Sequence, residues 1–175
     1  MAQALKFAFA GAVLAAVCAG SAQAGDGPLA QMHFFEGCWH GVFGGAGAVT
    51  DERCFAPMLD EHYVRDTHVV HGGDGAYSGE TVYYIDAQSQ RLAFTYYASD
   101  GGIARGFAEA DQHGLTFPPG QWIGADGQSL TMRATWRAEG PNRYVAISEV
   151  QENGRWREHL RIVYTRAPER SPPAR

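Results

Sequence analysis

From residue 38 onward, apolar and polar side chains alternate with a period of two, and short clusters of Gly, Asp, Asn and Pro interrupt the alternation. Leu130, Met132, Ala134 and Trp136 are interleaved with Thr131, Arg133, Thr135 and Arg137. Trp156, Glu158, Leu160, Ile162 and Tyr164 alternate with Arg157, His159 and Arg161. Side chains two apart on a strand share a face, so both segments read as half-buried strands whose basic faces are solvated. The same pattern predicts strands over residues 38–43, 49–55, 61–70, 77–85, 91–98, 103–109, 114–117, 129–137, 143–151 and 156–165. Turn signals such as Gly72-Gly73-Asp74-Gly75, Asp126-Gly127 and Asn153-Gly154 separate them. Asn-Gly and Asp-Gly suit tight hairpins because both central positions tolerate positive φ. Before the strands, residues 28–35 predict one short helical turn, with Pro28 early in it where a missing N–H costs nothing.

Ten strands joined by short loops predict an all-β fold, a closed antiparallel meander barrel of about ten strands with one short N-terminal helical turn. Closure removes the unpaired edges that invite aggregation. An open sandwich is the competing architecture, and residues 118–128 form the one connection long enough for a Greek-key crossover. No internal repeat or second domain is visible. The barrel domain is assigned to residues 25–166, and the Pro-rich residues 167–175 are expected to be a disordered tail.

Residues 1–24 read as a cleaved signal peptide. Lys6 supplies the positive charge, residues 7–19 form an apolar stretch too short to span a bilayer, and Ser21-Ala22-Gln23-Ala24 ends in a small-x-small cleavage pattern. The expected location is therefore periplasmic or secreted, with no transmembrane segment left after processing. Cleavage also removes the one lysine, leaving thirteen arginines against 19 acidic residues. Without lysine no lysine Schiff base is possible, and a net negative charge has the wrong sign for a nucleic-acid surface.

Two cysteines remain, Cys38 and Cys54. A hairpin centred on the Gly/Ala-rich residues 44–48 sets Cys38 opposite Cys54 and His40 opposite Glu52. Opposed strand residues are within disulfide reach, and an exported chain with an even cysteine count favours the bridge. A reactive thiol pair or metal ligands are the alternatives.

Several middle strands carry polar groups on both faces. Tyr63, Arg65 and Thr67 oppose His62, Asp66 and His68, and tyrosines cluster at 77, 83, 84, 96 and 97. Two-sided polarity fits a barrel that holds a ligand or water inside, since small-molecule cavities are mostly apolar with a few placed polar groups. Tyrosine is also simply a good strand residue. The seven histidines form no clear metal set: His68 and His71 fall on opposite faces, and Asp66 with His68 and Glu80 is the best grouping. No cofactor is predicted, although a single histidine such as His159 leaves haem open. No nucleophile elbow, phosphate loop, dinucleotide fingerprint or His-Glu-x-x-His occurs, so no catalytic residue is assigned. Asp66, Glu80 and Glu109 are the carboxylates available for acid–base work.

The opening Phe35-Glu36-Gly37-Cys38-Trp39 resembles that of the calycins, the superfamily of lipocalins and fatty-acid-binding proteins. It is similar above all to bacterial calycin-like families beginning Phe-x-x-Gly-x-Trp. The resemblance implies that Gly37 and Trp39 are structural, with Trp39 across the barrel floor and an Arg near the end of the last strand, Arg166 or Arg161, packed over it. Haem-binding ten-stranded barrels are similar in strand count. The function expected is an exported barrel holding a small, largely apolar or aromatic ligand, with Arg65, Glu80, Tyr84 and Tyr97 as cavity contacts and Arg105 as partner for an anionic group. The alternatives are a filled barrel acting in envelope interactions, or a small isomerase or hydrolase with Glu80 or Asp66 as base.

Overall fold

The computed structural model describes residues 29–44, 49–73 and 76–168. The expected signal peptide, most of the expected tail and the centre of the first hairpin loop lie outside the described residues. Eleven strands follow a 3-10 turn at Ala30–Met32. They are β1 Gly37–Phe43, β2 Thr50–Met58, β3 Tyr63–His71, β4 Tyr77–Ile85, β5 Leu92–Ala98, β6 Ile103–Phe107, β7 Glu109–Asp111, β8 Gly114–Ile123, β9 Ser129–Ala138, β10 Arg143–Glu152 and β11 Arg155–Arg166. The sheet runs β6-β5-β4-β3-β2-β1-β11-β10-β9-β8, and β6 pairs with β8 to close it. The short β7 is bonded to β8 alone. Every pairing is antiparallel. The result is a closed ten-strand antiparallel barrel plus one bonded strand, and no α-helix occurs among the described residues. Among the described residues no helix is long and apolar enough to cross a membrane.

Beyond shifts of a few residues at strand ends, two expected elements change in kind. The expected strand over residues 103–109 is split into β6 and β7. The expected loop over residues 118–128 is instead mostly strand, because β8 continues past a bulge between Phe117 and Gly120. Pro118 and Pro119 sit in that bulge, where a missing ladder N–H is tolerated. A second bulge lies between β10 and β11. Ser148 pairs with Leu160 and Glu149 with Glu158, so His159 is the extra residue. The Asn153-Gly154 turn has positive φ at both positions, 50° and 76°, as a tight β10–β11 hairpin requires.

One end of the barrel is filled. Met32 and Phe35, carried by the 3-10 turn and the residues after it, are wholly buried with Trp39, Phe55, Trp136 and Tyr144. Phe35 packs edge-on against Trp136 and Tyr144, with centroids 5.6 and 5.2 Å away, a favourable geometry for ring quadrupoles. The Trp39 indole N–H donates to the Phe35 carbonyl at 2.6 Å. Arg166 lies 4.1 Å above the Trp39 ring and donates to the Glu36 and Phe34 carbonyls at 2.6 and 2.8 Å. One guanidinium thus caps the indole and satisfies two carbonyls of the entry turn. Arg161 instead pairs with Glu158. Cys38 and Cys54 face each other in the β1–β2 register and are disulfide-bonded.

Candidate functional site

Beyond the aromatic plug the barrel is hollow. A cavity of about 540 Å³ is bounded by Phe94, Phe117, Trp136, Ile162 and Tyr164 on its deeper side and by Val70, Trp122, Leu130 and Leu160 toward solvent. Leu130 and Leu160 are also exposed on the surface, which places the mouth of the cavity beside them.

A polar cluster interrupts this apolar lining. Period two puts Asp51 and Arg53 of β2 inside, with Asp66 and His68 of β3, Thr81 of β4 and Tyr164 of β11. Asp51 and Asp66 are fully buried, Arg53 and His68 nearly so. The Arg53 Nε lies 3.6 Å from Asp51 Oδ2 and 3.5 Å from Asp66 Oδ1, close enough for charge attraction and too far for good hydrogen bonds. Both Arg53 Nε and Asp66 Oδ1 are buried with no hydrogen-bond partner. The guanidinium rests 5.0 Å from the Trp136 ring and 5.6 Å from that of Tyr164.

A chain of hydrogen bonds leads from this cluster toward solvent. The Tyr164 hydroxyl donates to Asp51 Oδ2 at 2.5 Å. Asp51 Oδ1 is 3.2 Å from His68 Nδ1, His68 Nε2 is 3.1 Å from the Tyr96 hydroxyl, and that hydroxyl is 2.6 Å from the hydroxyl of Tyr77. Tyr77 and Tyr96 are half-buried and border the cavity. Gly79, between them on the inner face of β4, leaves the necessary space. A Cβ there would come within 2.4 Å of the Tyr96 ring and 2.6 Å of His68 Nε2.

The electrostatics follow from burial set against pairing. Burial opposes ionisation of Asp51, but the His68 hydrogen bond and the Arg53 charge outweigh it and hold the pKa below the usual carboxylate range. For Asp66 burial wins over the Arg53 charge, and its pKa is raised. Burial also pushes up the phenols of Tyr77, Tyr96 and Tyr164, so these remain neutral hydroxyls. Arg53 stays charged, since the carboxylates around it outweigh its desolvation.

The structure locates the sequence-expected contacts as follows. Arg105 is exposed and borders the cavity. Arg65 and Glu80 lie on the outer face, paired to each other at 2.7 Å. Tyr84 packs near Tyr63 at 6.3 Å between centroids, on the face opposite its buried neighbour Tyr83. Tyr97 is 49% exposed. None of these four borders the cavity. The reason is parity: once Asp66, His68, Thr81 and Tyr83 point inward, Arg65, Glu80 and Tyr84 must point outward. Asp51 and Arg53 belong to no sequence motif that marks them as a site. A buried-side alternation of Asp51, Arg53 and Phe55 is the signal that would have found them. Among the described residues no group of three or more His, Cys, Asp or Glu side chains is placed to hold a metal ion.

No protein-family model matches this chain, and no curated protein matches it in sequence. Among solved structures, the crystal structure of Rv2717c from M. tuberculosis is similar, with a TM-score of 0.54 and 14% identity over 81% of this chain and 98% of that one. At that identity the likeness is one of fold, and the fold shared is the closed antiparallel barrel.

Proposed function

We propose that this chain is an exported small-molecule-binding barrel. Its ligand has a largely apolar or aromatic body lying along Phe94, Phe117, Trp136 and Ile162 and a polar end at the Asp51–Arg53–His68–Tyr96–Tyr77 cluster. The observation that carries this reading is the half-filled barrel: an apolar cavity of about 540 Å³ with a buried, hydrogen-bond-deficient arginine in its wall. A dry structural core would be packed to crystal-like density, and a buried donor without a partner costs about 1–3 kcal/mol. A ligand group or water that reaches Arg53 removes that cost.

Charge narrows the class of ligand. Two buried carboxylates, Asp51 and Asp66, stand beside one buried arginine, Arg53, in the cluster. A neutral polar head suits it better than a free carboxylate. Arg105, at the border of the cavity, is the residue proposed to meet an anionic group there. The disulfide supports export, because such bonds persist in oxidising compartments.

Native mass spectrometry of the protein matured in a periplasm tests the reading. A non-covalent mass of a few hundred daltons that leaves on denaturation is expected. An apo mass, together with failure of any hydrophobic probe to bind, overturns it. One observation favours a second occupant. His159 is the extra residue of the β10–β11 bulge and borders the cavity, so an exposed imidazole stands beside its apolar walls. A Soret band in the same sample would establish that reading, and its absence would remove it.

A further inference from the structure

The chain Tyr77–Tyr96–His68–Asp51 can be ordered in two ways, and the choice is made by a single proton. Asp51 is ionised and already accepts from Tyr164, so His68 Nδ1 must carry a hydrogen to face it. In neutral His68 the other nitrogen, Nε2, is then an acceptor. The Tyr96 hydroxyl donates to Nε2, and its oxygen accepts from Tyr77. Tyr77, at the cavity end, is left showing only lone pairs. In protonated His68 both nitrogens donate. Nε2 donates to Tyr96, Tyr96 donates to Tyr77, and the Tyr77 hydrogen is released toward the cavity. Each link is within hydrogen-bond distance in both orders, at 3.2, 3.1 and 2.6 Å.

We propose that this relay sets the polarity of the ligand site: it selects hydrogen-bond-donating heads, such as hydroxyl or amine N–H, when His68 is neutral, and accepting heads, such as a carbonyl, when His68 is protonated. The inference rests on the reading of the barrel as a ligand binder and names the head-group chemistry that the site recognises. Histidine is the side chain that most readily exchanges a proton near neutral pH, and one proton on His68 exchanges the class of head group selected. An accepting ligand takes up one proton on binding, and reciprocity requires that it be bound more tightly as the pH falls.

Charged and titratable groups face His68 from several strands. Asp51 and Arg53 face it from β2, and Asp66 shares its face of β3. Tyr77 and Tyr96 face it from β4 and β5, and Tyr164 reaches the cluster from β11. Asp100, in the turn after β5, acts on Tyr77. Gly79 is the residue that lets the imidazole and the Tyr96 ring stack, 5.9 Å between centroids, within hydrogen-bond reach.

Two neutral fluorescent probes with similar naphthalene bodies test the proposal. Prodan presents a carbonyl acceptor, and N-phenyl-1-naphthylamine presents an N–H donor. Between about pH 8 and about pH 5.5 the ratio of prodan to phenylnaphthylamine affinity is expected to rise at least about fivefold, the lower end of ordinary coupling between sites. Tyr96→Phe cuts the relay while keeping the ring, and is expected to flatten the pH dependence of the affinity ratio, whatever it does to the affinity of each probe alone. His68→Gln gives the same flat ratio by removing the proton, so loss of fold in one variant leaves the other informative. A ratio that stays constant in the wild type, or that still changes in Tyr96→Phe, overturns the relay with ligand binding intact. Failure of both probes to bind at any pH overturns the ligand-binding reading itself.

Discussion

The Tyr164 hydroxyl reaches across β1 to Asp51, 113 residues away in sequence, and donates to its Oδ2 at 2.5 Å. It can do so because Gly41 lies between them on β1. A Cβ at Gly41 would approach the Tyr164 ring to 2.6 Å. Tyr164→Phe leaves one buried carboxylate oxygen without its donor and is expected to cost about 1–3 kcal/mol of unfolding free energy. Gly41→Ala should cost a similar amount, about 1–3 kcal/mol, by overpacking. Because both act on one contact, the double variant should lose less than the two single losses combined. Urea titration of the four proteins measures this.

Gly79→Ala tests the relay from the opposite side. The added methyl displaces Tyr96 or His68, so thermal unfolding should fall by the equivalent of about 1–3 kcal/mol. The head-group selectivity should vanish with it. Unchanged stability and selectivity would mean that the two rings are not stacked over this glycine.

The buried carboxylates make opposite contributions to acid stability. Asp51 has a lowered pKa in the fold, so it stabilises above its ordinary value and that stabilisation is lost as the pH falls through the lowered value. Asp66 has a raised pKa, so its contribution is present below the ordinary value and is lost as the pH rises through the raised one. Asp51→Asn should therefore destabilise most at neutral pH, by about 3 kcal/mol as for a broken buried pair, with the deficit shrinking toward about pH 3. Relative to wild type, Asp66→Asn should improve as the pH rises. Unfolding free energies measured across the acidic range decide both signs.

The outward pair provides a contrast. Arg65 and Glu80 are bonded at 2.7 Å with side chains 51% and 39% exposed, and exposed ion pairs contribute at most about 1 kcal/mol. Arg65→Ala should change stability by less than about 1 kcal/mol and leave probe affinity unaltered. Arg53→Met should abolish selective binding. A probe that responds to Arg65 rather than Arg53 would place the ligand outside the barrel.

The disulfide closes a separation of 16 residues across the β1–β2 hairpin. Replacing both cysteines by serine is expected to lower stability by about 3 kcal/mol, the chain-entropy value for a loop of this size. The native register should survive, because Trp39 and Arg166 still anchor β1. Amide exchange along β1, in the oxidised protein and in the double serine variant, measures whether it does.

Much of the barrel is legible along the chain. Alternation with period two marks the strands, and Asn153-Gly154 marks a hairpin by its tolerance of positive φ. The Gly/Ala-rich residues 44–48 were enough to set Cys38 against Cys54 and His40 against Glu52, pairings the structure contains. These are local consequences of backbone geometry and sequence spacing. Two things were decided only in three dimensions. A period of two sorts side chains into two faces but does not say which is inner, so β3 and β4, polar on both faces, were ambiguous until closure buried Asp66, His68 and Thr81 and exposed Arg65 and Glu80. The polar cluster itself draws on β2, β3, β4, β5 and β11, the last brought beside β1 by the pairing of the two strands. Inside that closed wall, absent from any single strand, the balance of burial against pairing differs between the two aspartates and separates them in pKa, while Arg53 Nε is left without a hydrogen-bond partner.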